Sequence, residues 1–159
     1  MTDRTDLMRA PLKPADPHFE SRVRASFARQ EAMRTLGIEM VGVGPGEIEL
    51  TMAYAGAYTQ QHGFVHAGII ATALDSACGY AAFSLMPDNA AVLTVEFKIN
   101  LLAPAKAERF SFRARVIKAG RVITVSEGQA LAIDPAGERP VATMICTLMA
   151  VVDREGIHQ

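Results

Sequence analysis

The sequence predicts an α+β fold: an antiparallel sheet wrapped around one central buried helix, with an additional helix on the N-terminal side. Three observations carry this. Residues 67–86 are apolar on every side rather than along one stripe, the mark of a helix buried all round. Segments before and after that run alternate apolar and polar residues, the mark of strands with one buried face. The later segments follow one another through short turns, which require antiparallel neighbours.

Residues 1–16 are polar and carry Pro11 and Pro14, so they read as a flexible N-terminal arm. Asp16-Pro17 fits a helix N-cap followed by proline at the first helical position. The helix is expected to run to about Leu36, with Gly37 as its stop. Phe19, Val23, Phe27 and Met33 lie on its broad apolar face, and Arg22, Arg24, Arg29 and Arg34 on a solvated one. Ile48, Leu50, Met52 and Tyr54 then alternate with Glu47, Glu49, Thr51 and Ala53. After the central helix, Val95, Phe97, Ile99 and Leu101 alternate with Thr94, Glu96, Lys98 and Asn100, and Phe110, Phe112, Ala114 and Val116 repeat the pattern. Lys118-Ala-Gly-Arg121 reads as a hairpin turn into residues 122–133, where Gly128 suggests a bulge. Asp134-Pro-Ala-Gly137 is a second turn, and residues 139–152 form a closing strand. The expected organisation is a single domain over 17–152 and a tail over 153–159. No second helix is long enough to cover the other sheet face, which argues for a partner subunit.

Composition removes several classes of function. A chain of 159 residues, half of them hydrophobic, is long enough for a real core. Its net charge of −1 favours neither nucleic acid nor a membrane surface as partner. No basic cluster flanks the apolar run, and Asp75 near its middle would be costly in lipid. Cys78 and Cys146 sit inside apolar runs, as small buried hydrophobes of a reducing compartment do. No Cys/His cluster suggests a metal, and no cofactor is expected. The N-terminus lacks an apolar signal-like stretch, so a cytoplasmic protein is expected.

Asp75 is the one charged residue in the 67–86 run. An unpaired carboxylate in apolar surroundings costs free energy, a cost commonly met where chemistry needs the acid. Just upstream stands Gln60-Gln-His-Gly-Phe-Val-His-Ala-Gly68, which ends where the helix begins. A helix start offers free backbone N–H groups and the positive end of the dipole. One segment thus supplies an anion-stabilising end and a buried acid. Tyr80, Phe83 and Met86 are either channel lining or core.

The segment 60–82 resembles the hotdog-fold acyl-CoA thioesterases, in the branch related to the phenylacetic-acid-degradation thioesterase. That family's pattern is Asn-x-x-Gly-x-Val-His-Gly-Gly followed by an Asp nine places after the His. This chain has Gln60, Gly63, Val65, His66, Ala67 and Gly68, then Asp75 and Gly79. Further likeness lies in Thr94-Val-Glu-Phe-Lys-Ile-Asn100, Ala103-Pro104 and the Lys118–Arg121 turn, so the resemblance covers roughly residues 40–152. Two positions depart: the family's Asn is Gln60, one methylene longer, and its first Gly after the His is Ala67, which keeps the backbone N–H.

The expected activity is hydrolysis of a coenzyme A thioester to free acid and thiol. Attack on a thioester carbonyl creates an oxyanion, which the N–H groups of Ala67 and Gly68 at the helix start can stabilise. Asp75 would act as general base or nucleophile. The resemblance implies that Gln60 polarises the carbonyl or holds the attacking water, and that Thr94 is a second water-holding group. His66 either touches the carbonyl or bonds to backbone at the helix entry. The phosphates of coenzyme A need cations, and Lys98, Arg115, Lys118 and Arg121 are the candidates. Ala67 to Asp75 spans about 13 Å of helix, so both cannot reach one carbonyl from one chain. A homodimer with shared sites is therefore expected, or a tetramer built from such dimers. The alternatives are a hotdog hydratase or dehydratase, in which His and carboxylate stand in other orders, and a non-catalytic acyl-CoA binding module, which would not need Asp75.

Overall fold

Residues 17–36, expected as one helix, fold as two: α1 over Phe19–Phe27 and α2 over Glu31–Thr35. Between them Arg29 N–H bonds Ser26 O and Gln30 N–H bonds Phe27 O, a tightened last turn, and Gln30 is extended (φ −77°, ψ 102°). A straight helix would set Met33 about 80° round from Val23. The break lets both be buried. Asp16 does not cap the helix directly. Its carboxylate accepts the His18 N–H at 2.8 Å and pairs with Arg22 Nε at 2.8 Å, shaping the turn ahead of α1. Arg22 is not on a solvated face. Its Nη2 donates to Met86 O (2.7 Å) and Phe83 O (3.3 Å), and its guanidinium lies 4.1 Å from the Phe83 ring centroid. It thereby caps the far end of the central helix.

The computed structural model describes residues 11–154 and residue 156. Of the segment read as a flexible arm, residues 1–10 lie outside the described residues. Nearer the domain, Leu12 packs against the core, Ala15 N–H bonds Leu85 O and Asp16 is buried. Of the tail, residues 155 and 157–159 likewise lie outside.

Six strands form one sheet: β1 (Ile38–Gly44), β2 (Glu47–Ala53), β3 (Ala90–Leu101), β4 (Arg109–Lys118), β5 (Ile123–Asp134) and β6 (Gly137–Val152). Their order is β1-β2-β4-β5-β6-β3, with every neighbouring pair antiparallel. The helix α3 (Ala67–Phe83) joins β2 to β3 and packs on one face of the sheet. Ile70, Leu74 and Phe83 from the helix meet Leu50, Phe110, Phe112, Met144 and Leu148 from the strands in one apolar cluster. This is the hotdog arrangement expected from the sequence. Among the described residues no helix is long and apolar enough to cross a membrane.

Three local features differ from expectation. Gly128 is not a bulge; it pairs regularly with Ala114 and Met144. A Cβ there would stand 3.0 Å from Cys78 Sγ and 3.1 Å from Leu74 Cδ2, so glycine lets α3 approach the sheet. Secondly, α3 is not buried all round. Gly68, Ala71, Thr72, Asp75 and Ser76 form an open flank at helical spacing. Thirdly, β3 carries a bulge between Thr94 and Glu96 that its sequence does not signal. Tyr80, Phe83 and Met86 are core: all three are buried, and the Tyr80 hydroxyl bonds Ser26 Oγ at 3.0 Å.

Candidate active site

The loop ahead of α3 is fixed by its own backbone. Thr59 and Val65 form a bridge, Gln60 N–H bonds Phe64 O, and Gly63 N–H returns to Gln60 O, both at 2.9 Å. Gly63 stands at φ +76°, a conformation that glycine adopts freely. Val65 N–H bonds Ala105 O and His66 N–H bonds Tyr58 O, both at 2.8 Å, which seats the loop at the helix start. Gln60 is half-buried here, and its side-chain amide has no hydrogen-bond partner among the described residues.

His66 is the N-cap of α3, and its Nδ1 accepts the Gly68 N–H at 2.9 Å. Of its two expected uses, the structure therefore displays the backbone bond. Accepting at Nδ1 requires the ring hydrogen to sit on Nε2. One consequence is that the two expected oxyanion donors are unequal. The Gly68 N–H is engaged by His66, whereas the Ala67 N–H has no partner among the described residues.

Asp75 lies eight residues further along the open flank and is half-buried. Thr94 Oγ1 donates to its Oδ1 at 2.8 Å. Sequence alternation groups Thr94 with Glu96 and Lys98, on the opposite side from Phe97. The bulge changes that: Thr94 pairs with buried Leu148 and Phe97 with buried Cys146, so both face α3. Because the Thr94 hydrogen goes to Asp75, the hydroxyl can only accept from a water. Cys146 Sγ also reaches Asp75 Oδ1, at 3.8 Å, a contact that sequence reading missed because a cysteine in an apolar run looks like plain core.

A groove of about 610 Å³ runs beside this flank, between Gln30 and Met33 at α2, Gly68, Thr72 and Asp75 on α3, and Phe97 on β3. Gln30 Oε1 accepts from Ser76 Oγ at 3.4 Å. The part of α2 in this wall was also missed, since the stretch 28–30 holds no glycine or proline to announce a break. A larger concavity, about 890 Å³, lies over Glu49, Arg113, Arg115 and Gln129 and contains none of the residues around Asp75. There Arg113 pairs with Glu49 and Glu138. The Ser111 hydroxyl, then Arg113, hold the Glu49 carboxyl below its usual range, and Arg113 does the same for Glu138.

The expected phosphate cations are not gathered together. Arg115 faces away from α3 and is paired with Glu127. Lys98 lies opposite exposed Ile145, on that same outer face. Lys118 ends β4, Arg121 stands in the following turn, and both are exposed without an ion pair among the described residues.

A six-stranded antiparallel sheet packed on one long helix is the hotdog architecture, in which thioesterases are one class. The comparisons with known proteins agree. Residues 62–136 match the thioesterase superfamily. A thioesterase family protein from Silicibacter pomeroyi is 58% identical, and the match covers 84% of this chain and 98% of that one at a TM-score of 0.83. A Saccharolobus solfataricus protein named as an esterase is 31% identical over 66% of this chain and 69% of its own length. The E. coli PaaI protein of the phenylacetic acid degradation operon shares the fold, with a TM-score of 0.75 at 19% identity over 84% of this chain and 93% of that one. The chain belongs to the thioesterase superfamily and is a hydrolase of that family.

Proposed function

We propose that the protein hydrolyses acyl-coenzyme A thioesters, in sites shared between two copies of the chain. The observation that carries this reading is an acid on an open helix flank, Asp75, oriented by Thr94 at 2.8 Å. Asp75 takes a proton from water as the water attacks the thioester carbon, or attacks that carbon itself. The Ala67 N–H receives the developing oxyanion, with the positive end of α3 behind it. Gln60 directs its amide at the carbonyl or the water. The coenzyme A thiolate leaves and is protonated; where Asp75 itself has attacked, water then hydrolyses the acyl–Asp75 anhydride and restores the carboxylate, and in either case the free acid departs.

Distance supports the shared site. Helix α3 is continuous from Ala67 to Phe83, so Ala67 and Asp75 of one chain stand about two turns apart. A second copy supplies the missing half. Support for such a copy comes from β3, which is an edge strand and leaves Val95 (55%), Phe97 (42%) and Leu101 (58%) exposed. An unpaired apolar edge of this kind calls for a cover. Lys118 and Arg121 are the best placed of the four cations for the phosphates, being at a turn tip and unpaired.

The test is a panel of acyl-coenzyme A thioesters with released thiol as readout, run on wild type and Asp75→Asn. Hydrolysis of at least one ester by wild type, lost in the folded variant, is the expected result. Wild-type turnover in Asp75→Asn would end this mechanism.

A further inference from the structure

We infer that Cys146 is a positioning residue for Asp75: its thiol ties Oδ1 from strand β6 while Thr94 ties the same oxygen from strand β3, leaving the other oxygen to react. The inference rests on the reading of Asp75 as the reacting acid.

Cys146 is inward-facing and buried, opposite Ser126 on β5 and Phe97 on β3. Its Sγ donates to Asp75 Oδ1 at 3.8 Å, and Thr94 Oγ1 donates to that oxygen at 2.8 Å. One donor fixes a point on a carboxylate and leaves the group free to swing about it. Two donors from different strands restrict the plane of the group as well. The second oxygen accepts no hydrogen bond among the described residues and so keeps its lone pairs for water or the thioester carbon.

The thiol is itself backed. Cys78 sits three residues after Asp75 on α3 and is fully buried, and the neighbouring Cys146 thiol, then burial, push its own thiol far up. The Cys78 thiol therefore stays protonated. Cys146 gives its hydrogen to Asp75. Sulfur suits this position for two reasons. It packs as a small hydrophobe in the core, and its long bond to carbon brings a weak donor within reach. An alanine would donate nothing. A serine oxygen, on a shorter bond, would fall short.

The chain has only these two cysteines, so the S–H stretching band in the infrared, a window clear of other protein absorption, reports on them alone. Cys78→Ala leaves the Cys146 band for assignment. That band should lie lowest in frequency with Asp75 ionised, rise in Asp75→Asn and rise further in Asp75→Ala. A band indifferent to Asp75 would overturn the inference. None of these proteins alters Cys146, so the result does not depend on the folding of a Cys146 variant. In kinetics, Cys146→Ala should lower kcat about three- to fivefold with KM unchanged, a weak donor's share of a bond to a charged acceptor. Wild-type kcat in that variant would also overturn it. If wild type hydrolyses no thioester while the band still responds to Asp75, the proposed function fails and the contact stands.

Discussion

At the start of α3 the candidate reactive groups are backbone amides seated by a loop; about two turns on, the group is a side chain held from two strands. The first end depends on main-chain hydrogen bonds, so substitutions that keep the backbone path should preserve it. The second depends on one carboxylate and its donors, so a single atom change should remove it. The two ends also share a defect: each faces the open flank of the helix, and neither reaches the other within one chain. On the proposed reading, chemistry is divided between an insensitive half and a sensitive one, and assembly of two copies would reunite them.

The sharpest way to break this contrast is at the sensitive end. Asp75→Asn keeps shape and removes the acid, and turnover should fall at least about a hundredfold with the circular dichroism spectrum unchanged. Thr94→Val removes the short bond to Oδ1, and kcat should fall about tenfold, read from initial rates at saturating ester. At the insensitive end, Ala67→Gly should change kcat by less than about twofold, since the N–H is retained. A large loss there would show that the Ala67 side chain matters and would undo the contrast. Away from both ends, Lys118→Glu or Arg121→Glu should raise KM for coenzyme A esters a fewfold and leave a short thioester without the nucleotide unaffected. An equal effect on both esters would point to damage elsewhere. The smallest effect concerns the far end of α3. The His18 N–H, and with it Arg22, hold the Asp16 carboxyl below its ordinary value, so its contribution to stability is present at neutral pH and is lost as pH falls through the carboxylate range. Melting temperatures of wild type and Asp16→Asn should therefore differ near pH 7 and converge below about pH 4.

The same two ends differ in how far the sequence discloses them. Gln60 to Gly68 announces a loop and a helix start through its glycines and histidines, and Asp75 stands out because it is the sole charge in an apolar run. Alternation exposes the strands, since one buried face imposes a period of two. What surrounds Asp75 is another matter. Thr94 turns toward the helix because of a bulge that no glycine or proline marks, so parity assigns it to the wrong face. Cys146 approaches from a strand 71 residues away, a contact set by sheet order. Gly128 was visible as a glycine, yet its reason, the approach of Cys78 and Leu74, lies in packing across the sheet. The split of residues 17–36 into α1 and α2 escapes for a similar cause: tertiary burial of Val23 and Met33 overrides a locally acceptable long helix.

The division of the site between two chains is the central claim, and subunit mixing tests it most directly. Asp75→Ala removes the acid; Gly68→Val crowds the helix start, because a Cβ there meets His66 Nδ1 at 3.1 Å. Each homodimer should be inactive. A mixed dimer then holds one doubly damaged site and one intact site, formed by the Ala67 end of the first variant and the Asp75 of the second. Unfolding and refolding an equal mixture makes about half the dimers mixed, so activity should recover to roughly a quarter of wild type. A mixture that stays inactive, with subunit exchange verified by differently tagged chains, would contradict the shared site.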